Sequence, residues 1–389
     1  MKLKLRITTI LLLISCQFLT AQQKIINVLD NTTKQPISNV HLYLPNLEKG
    51  TITNEEGKAK IDFSLQDSLI VSCVGYATKR LVINKDTSVS TLYLTPEEIM
   101  LDEVVIYNFD LKKQVGYVLD NYKKLYDETN AKTLECTYRE KFIRNDTLTR
   151  LYQVQLDWWF KQYLYIPQET LDKQLAVALK STDYSHIKND KNKTTQGAFL
   201  DPKNLFQFLY PNSYLSFIKY YGENIEIKKV EKNADYTKVT FNADIVIKKE
   251  LSFKLTNSVI YFDNHTNAVK RIIFNDTKRS VSENVSKESK IPFKSISDNF
   301  SLDITFSNYK NKLLFSSLYV KAKGGIEYNN KRDNLQTEQS FLRTGVTKGQ
   351  IKKNDRIEVE KPFFEYVTPH KQGEAKFLLT KEEQDFINQ

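Results

Sequence analysis

Between residues 24 and 107 the chain sets short apolar or alternating runs against turn chemistry at intervals of about ten residues, and few folds accept that rhythm. Runs at 24–30, 40–44, 59–63, 69–74, 79–83 and 91–94 are each long enough for one strand and too short for an ordinary helix. The residues between them have mechanical work. Asp30-Asn31 and Pro36 bend the first connection, and Asn54-Glu55-Glu56-Gly57 offers Gly57 for a positive φ. Short strands at this spacing predict a sandwich or a barrel.

The same residues carry a family resemblance. Val28-x-Asp30-x-x-Thr33-x-x-Pro36-Ile37-x-x-Val40 is followed in order by Gly50-Thr51-Ile52-Thr53-Asn54-x-x-Gly57 and by Val71-Ser72-Cys73-Val74-Gly75-Tyr76. Together they resemble the carboxypeptidase-regulatory-like domain of Bacteroidota envelope proteins. The resemblance implies a seven-stranded, transthyretin-like (prealbumin-like) β-sandwich over 22–94. It implies no catalytic residue, because the domain is not itself catalytic in that family. Leu101-Asp102-Glu103-Val104-Val105-Ile106 also looks like the phrase that follows this domain in TonB-dependent receptors. Cys73 departs from the pattern, which more usually has an aromatic residue there.

Ahead of the sandwich, residues 1–21 read as a signal peptide. Lys2, Lys4 and Arg6 form its basic start, residues 7–15 its apolar stretch, and Leu19-Thr20-Ala21 its end, with cleavage after Ala21. Leu13-Ile14-Ser15-Cys16 resembles a lipobox, so lipidation of Cys16 is the alternative and would supply the membrane attachment. Gln17-Phe18-Leu19 continues the apolar region beyond that cysteine, which favours cleavage after Ala21. Either route exports the protein to the periplasm, the outer membrane or the cell surface. No later segment approaches the roughly 20 apolar residues of a transmembrane helix. Cys73 and Cys136 then remain, and an oxidising compartment permits one disulfide between them. Spacing alone does not show that they meet, and Cys73, within an apolar run, reads as a small buried hydrophobe.

Residues 95–108 form a linker with a strand at 101–106, and 109–389 read as an α+β domain on a largely antiparallel sheet. Leu111, Val115, Val118, Leu119, Tyr122, Leu125 and Tyr126 recur at helical spacing and predict a helix over 109–128. Asp201-Pro202 gives the N-cap and first position of another helix, and a short helix closes the chain at 381–387. Strands are predicted at 135–143, 148–165, 225–230, 237–248, 252–262, 268–274, 300–309 and 313–322. The Ser- and Lys-rich residues 276–297 read as a mobile loop, and Gly324-Gly325 as a turn. Tyr138-Arg139-Glu140 and the hairpin beginning Ile260-Tyr261-Phe262-Asp263 resemble the rear domain of uncharacterised Bacteroidota envelope proteins. The hairpin is also similar to the open curved sheet of lipoprotein-carrier-like domains. Both likenesses imply a shape and no chemistry.

Tests for chemistry return little. A catalytic zinc needs about three ligands, commonly with a partner a few residues from a histidine. Three positions after His41, His186, His265 and His370 stand Leu44, Asn189, Ala268 and Gly373, so the zinc-peptidase reading fails. No Gly-x-Ser-x-Gly elbow, phosphate loop or dinucleotide fingerprint occurs. We therefore expect no catalytic or metal residue and no cofactor. The candidate binding residues are Trp158 and Trp159, in a strand rich in aromatics on both faces (Tyr152, Phe160, Tyr163 and Tyr165 nearby); core packing is the plainer reading. The aromatic cluster running from Phe206 and Phe208 to Tyr220 and Tyr221 reads as a helix packed on the sheet.

Function follows as an expectation. The chain reads as a non-enzymatic exported envelope protein, its sandwich a docking module and its rear domain the binder of an envelope protein or of an apolar or glycan ligand. An envelope hydrolase of unfamiliar, metal-free type is the alternative. The formal charge of +10 falls to +7 without the signal, and residues from 108 onward carry 46 basic against 36 acidic side chains. These are interleaved and form no basic stripe, which argues against nucleic acid and leaves a rear domain suited to anionic envelope components.

Overall fold

A computed structural model describes residues 23–38, 40–44, 47, 49–62, 67–73, 76–84, 86–87, 89–96, 109–127, 132–161, 169–188, 201–209, 211–248, 251–285, 290–368 and 378–389. They form two compact units, the first reaching residue 97 and taking in 378–380, the second holding the rest. The signal segment with Cys16 and Ala21, and the expected strand at 101–106, lie outside the described residues.

The first unit is the expected seven-stranded sandwich. Its strands are β1 (Gln23–Asp30), β2 (His41–Leu44), β3 (Lys49–Ile52), β4 (Lys58–Asp62), β5 (Asp67–Ser72), β6 (Lys79–Ile83) and β7 (Thr91–Leu94). They make two sheets, β4-β1-β7 and β3-β2-β5-β6. Only the β1–β7 pairing is parallel among these ladders. Alternation sends Leu42 and Leu44 inward, where they join Ile26, Val28, Leu69 and Val71 in one buried core. Each such side chain contributes roughly 1.5–3 kcal/mol by leaving water. Gly57 takes the positive φ its turn demands, +71°, and a Cβ there would stand 2.6 Å from the Val28 carbonyl oxygen.

The second unit is one large antiparallel sheet with helices on its apolar face. Helix α1 (Leu111–Leu125) leads into β8 (Lys132–Arg144), β9 (Thr147–Phe160) and β10 (Leu175–Ile187). Helices α2 (Pro202–Phe208) and α3 (Pro211–Tyr221) follow, then β11 (Gly222–Lys232), β12 (Tyr236–Lys248), β13 (Leu251–Asp263) and β14 (Val269–Asp276). β15 (Ser280–Val285), β16 (Pro292–Tyr309), β17 (Lys312–Tyr328) and β18 (Lys331–Lys348) complete the sheet, and α4 (Lys381–Ile387) ends the chain. The strand order is β10-β9-β8-β18-β17-β16-β14-β13-β12-β11, with β15 paired to β16.

Helix ends follow the sequence signals. Asp110 caps α1 by accepting from the Lys113 amide at 2.9 Å, and Asp201 caps α2 by accepting from the Asn204 amide at 2.6 Å. Leu111, Val115 and Val118 of α1, Leu205 and Phe206 of α2, and Leu215 and Ile218 of α3 pack into the sheet's buried core. Just past α1, the Tyr126 hydroxyl donates to the Val269 carbonyl at 2.9 Å and accepts from the Val269 amide at 3.1 Å. One phenol therefore pins the helix to β14.

Several expectations need correction. Much of 276–297 is strand where a loop is expected: Ser280–Val285 pairs with the start of Pro292–Tyr309. The segment reads as a loop because all six residues of β15 are exposed, so no apolar alternation marks it. Gly324 and Gly325 lie inside β17, paired with β16. A Cβ on Gly324 would meet the Ile296 carbonyl oxygen at 2.0 Å, so the glycine marks a close backbone approach and not a turn. β10 and β18 are not among the predicted strands, because polar residues such as Asp183 and Ser185 of β10 and Thr337, Glu338 and Gln339 of β18 sit at buried positions and hide the period. β9 ends at Phe160, and Tyr163 and Tyr165 lie outside the described residues.

Tyr126→Phe should leave the Val269 amide and carbonyl buried and unpaired, lowering unfolding free energy by about 1–3 kcal/mol in chemical denaturation. Tyr117→Phe, on the exposed side of α1, should change it by less than about 0.5 kcal/mol.

Candidate functional site

In the sandwich the family motif proves to be a turn lock. Asp30 accepts from the Thr32 and Thr33 amides at 2.7 Å each and from the Tyr76 hydroxyl at 2.8 Å. The Thr33 amide and the Tyr76 hydroxyl hold its carboxyl below the usual range, while burial and Asp30 push the Tyr76 phenol up to about 12. Asp30, Thr33 and Tyr76 thus tie the connection after β1 to the segment after β5. Their chemistry is architectural.

The second unit contains a buried acid–base cluster on the apolar face of its sheet. Inward positions of β8 fall at Leu134, Cys136, Tyr138, Glu140 and Phe142, so Glu140 is carried into the core by strand period alone. Its carboxylate is fully buried. It accepts from Arg150 Nε at 2.5 Å, the Tyr138 hydroxyl at 2.9 Å and the Tyr152 hydroxyl at 3.2 Å. Arg150 lies between the rings of Phe142 and Phe364, 4.7 Å from each centroid. Burial first, and the Glu140 charge second, push both tyrosine hydroxyls well above their ordinary range. Both oxygens of Glu140 are thus engaged by donors, Oε1 by Arg150 and Oε2 by the two tyrosine hydroxyls.

A second polar network lies on the other face of β8–β10. Arg139 meets Glu383 of α4 at 2.5 Å and donates to the Tyr184 hydroxyl at 2.9 Å, and Lys141 stands 3.3 Å from Glu383. Tyr184 donates to Gln153 at 3.1 Å, and Gln153 donates to Asp183 at 2.5 Å. Gln155 reaches the same Asp183 carboxylate and accepts from Thr137 at 2.7 Å. Burial pushes the Tyr184 phenol up to about 12 against the pull of Arg139. Phe386 stacks edge-on against His186 at 4.6 Å, which seats α4. Every named group has a structural partner.

The two candidate tryptophans do not form a platform. Trp158 is 0% and Trp159 8% exposed. Trp158 packs on Phe341, ring centroids 4.9 Å apart, and Trp159 packs on the opposite face with Ala176, Ala178 and Ile351. Successive residues of a strand point to opposite faces, and here both faces are covered. Cys73 is half-buried and Cys136 buried. Phe206, Leu209 and Tyr214 of the second aromatic cluster are core, as expected, whereas Tyr220 and Tyr221 are exposed. Among the described residues, no three His, Cys, Asp or Glu are grouped to hold a metal, and no helix is long and apolar enough to cross a membrane.

What remains outward is a face made by α1 and α3. The Lys219 side chain lies across Gly116, so α3 rests on α1 there, and its ammonium stands 5.5 Å from the Tyr220 ring centroid. Tyr117, Tyr220 and Tyr221 are 42%, 64% and 41% exposed. Lys112, Lys113, Lys123 and Lys124 are exposed along α1, with Asp120 the one acid inside that helix. The sequence carried a trace of this face: the residues of α1 that break the apolar period are mostly lysines.

Comparison with known proteins bears on the first unit most directly. Residues 27–106 match the family model of the CarboxypepD_reg-like domain, so the chain carries that domain ahead of its antiparallel sheet. No curated protein matches the chain. Among solved structures, a LolA superfamily protein from Nitrosomonas europaea aligns with 65% of this chain and 99% of its own, at 7% identity and a TM-score of 0.25. A protein of unknown function from Bacteroides fragilis, described as membrane-associated, aligns with 83% of this chain and 97% of its own, at 9% identity and a TM-score of 0.16. Likeness at this level assigns no activity.

Glu140→Gln should leave Arg150 buried beside a neutral partner and cost about 3–5 kcal/mol in denaturant unfolding, the usual cost of breaking a buried pair. A pH series should add a second signature. Burial raises the carboxyls of Asp263, Asp333 and Glu338, but their donors, led by Lys270, Arg144 and Lys321 respectively, outweigh it and leave all three below the ordinary range. A carboxyl depressed in the folded state stabilises above its unfolded value and loses that contribution as pH falls through the folded one. Unfolding midpoints should therefore drop once pH falls below about 4, and Asp263→Asn should flatten part of the drop.

Proposed function

We propose that this chain is a non-enzymatic, exported envelope protein that attaches to an anionic envelope surface through the α1–α3 face of its second unit. The observation that carries the reading is that face: three exposed tyrosines beside five lysines on two helices packed together. Tyrosine favours the boundary between water and lipid headgroups, and each lysine near an anionic surface contributes about 1 kcal/mol. The sandwich serves as an accessory module in front of it. An apolar ligand on the sheet's inner face would have to displace Leu215, Ile218 and Phe206, which already occupy it. Glu140 and Glu383, the most deeply buried acids, are engaged by Arg150 and by Arg139 with Lys141, so they support an architectural role better than an acid–base one.

The test is co-sedimentation of the mature chain with vesicles of phosphatidylethanolamine and phosphatidylglycerol. Binding should appear only with phosphatidylglycerol and should fade with salt. Replacing Lys113 and Lys124 by Ser should weaken it about five-fold per lysine, and Tyr220→Ser should weaken it further without altering thermal stability. Equal binding to neutral vesicles, or none to anionic ones, would overturn the attachment. Turnover of a peptide or glycan panel that is lost on substituting one residue would overturn the non-enzymatic reading.

A further inference from the structure

The large sheet ends in three edges, and two of them are guarded. β11 pairs with β12 alone, but its ladder is broken twice and its residues include Glu226, Lys228, Lys229, Glu231 and Lys232. β10 is likewise bulged twice, and the Ile357 amide donates to the Val177 carbonyl at 2.9 Å, covering its outer side. Bulges, charges and a covering segment are the ordinary defences of a sheet edge.

β15 has neither bulge nor covering segment among the described residues, and a single charge. Among the described residues it pairs with β16 only, in unbroken register from Ser280 opposite Ser297 to Val285 opposite Pro292. All six of its residues are exposed, with Val281 at 54% and Val285 at 62%. It holds no lysine, no proline and one acid, Glu283. β13 borders the preceding residues, where the Thr277 amide donates to the Lys254 carbonyl at 3.0 Å, but β13 begins at Leu251 and the pairing order runs out there. Among the described residues the outer edge of 281–285 is thus open, and alternate residues turn their backbone N–H and C=O groups away from β16.

We propose that β15 is a docking edge that receives an extended segment of another protein as an added strand. Charge and pattern state its chemistry. Val281, Glu283 and Val285 share one face of the strand, and β16 answers them with Ile296, Lys294 and Pro292. Lys294 stands 3.9 Å from Glu283, whose side chain remains 83% exposed. A strand on the open side meets the same three residues, so it should carry a basic residue flanked at alternate positions by apolar ones. A second copy of β15 is a poor occupant: antiparallel pairing confined to 281–285 sets Glu283 opposite Glu283, and like charges directly opposite are unfavourable. The added strand would supply main-chain hydrogen bonds for affinity and side-chain pattern for selection.

The test uses the mature full chain and short synthetic peptides of alternating threonine and valine with a central lysine, measured by calorimetry or by amide shifts of labelled protein. The lysine peptide should bind and shift the amides of 281–285. A central glutamate should weaken it roughly tenfold, and a proline at a ladder position should abolish it. Glu283→Gln, at a side chain 83% exposed, should remove the preference for a central lysine and leave the unfolding midpoint unchanged within about 0.5 kcal/mol. Absence of binding by every peptide, binding blind to the central charge, or a chain that dimerises through β15 on sedimentation would each overturn the proposal.

Discussion

An antiparallel sheet this wide has one face that must be kept from water, and the arrangement of the second unit follows from that need. Residues such as Val239, Phe241, Ile260, Phe262, Ile304 and Val320 line one side of the strands, and α1, α2 and α3 lie over them. Because the helices precede or interrupt the strands, each must be fastened to a strand distant in sequence. Tyr126 does this through a single backbone amide and carbonyl at Val269, and parallel bridging of Tyr126 to Leu313 reinforces the position. The opposite side is left to pairs such as Arg271–Asp303, which cost little in water and contribute little.

The buried acids obey the same geometry. Strand period places Glu140 among aromatic residues whether or not a charge is welcome there, and the neighbourhood answers with one guanidinium and two hydroxyls. A buried carboxylate without such partners would cost several kcal/mol. Glu383 shows the outer-face version, where two basic residues on β8 receive the last helix of the chain. These groups look like catalytic candidates by residue type and behave as fasteners by environment.

How much of this the sequence disclosed depended on contrast between faces. The sandwich was legible because its strands are short, its turns carry Asp, Asn, Pro and Gly, and Gly57 stands where positive φ is needed. α1 and α2 were legible through apolar spacing and caps. β15 and β18 were not, because a strand exposed on both faces, or one alternating Gln, Thr and Glu with few apolar residues, has no period to read. Gly324 misled for a related reason: a glycine required by a neighbouring carbonyl and a glycine required by a turn are identical in one dimension. Glu140 is not among the candidate residues, because by type alone it is one carboxylate among many. Strand phase alone, with Tyr138 and Phe142 two residues to either side, would have placed it inside.

The register between β8 and β18 carries a consequence for how the molecule is made. Residue 140 pairs with residue 339, and the ladder extends from Lys132 opposite Lys348 to Arg144 opposite Leu335. A chain that emerges amino end first presents β8, β9 and β10 long before their central neighbour exists. Until the last long strand arrives, β8 keeps a bare edge of apolar and aromatic residues, and closing a loop of this length is slow compared with forming the hairpins inside it. The protein is therefore most vulnerable to misjoining in the interval between synthesis of β10 and of β18. Until β18 pairs with it, the bare edge of β8 is open to strands from any nearby chain.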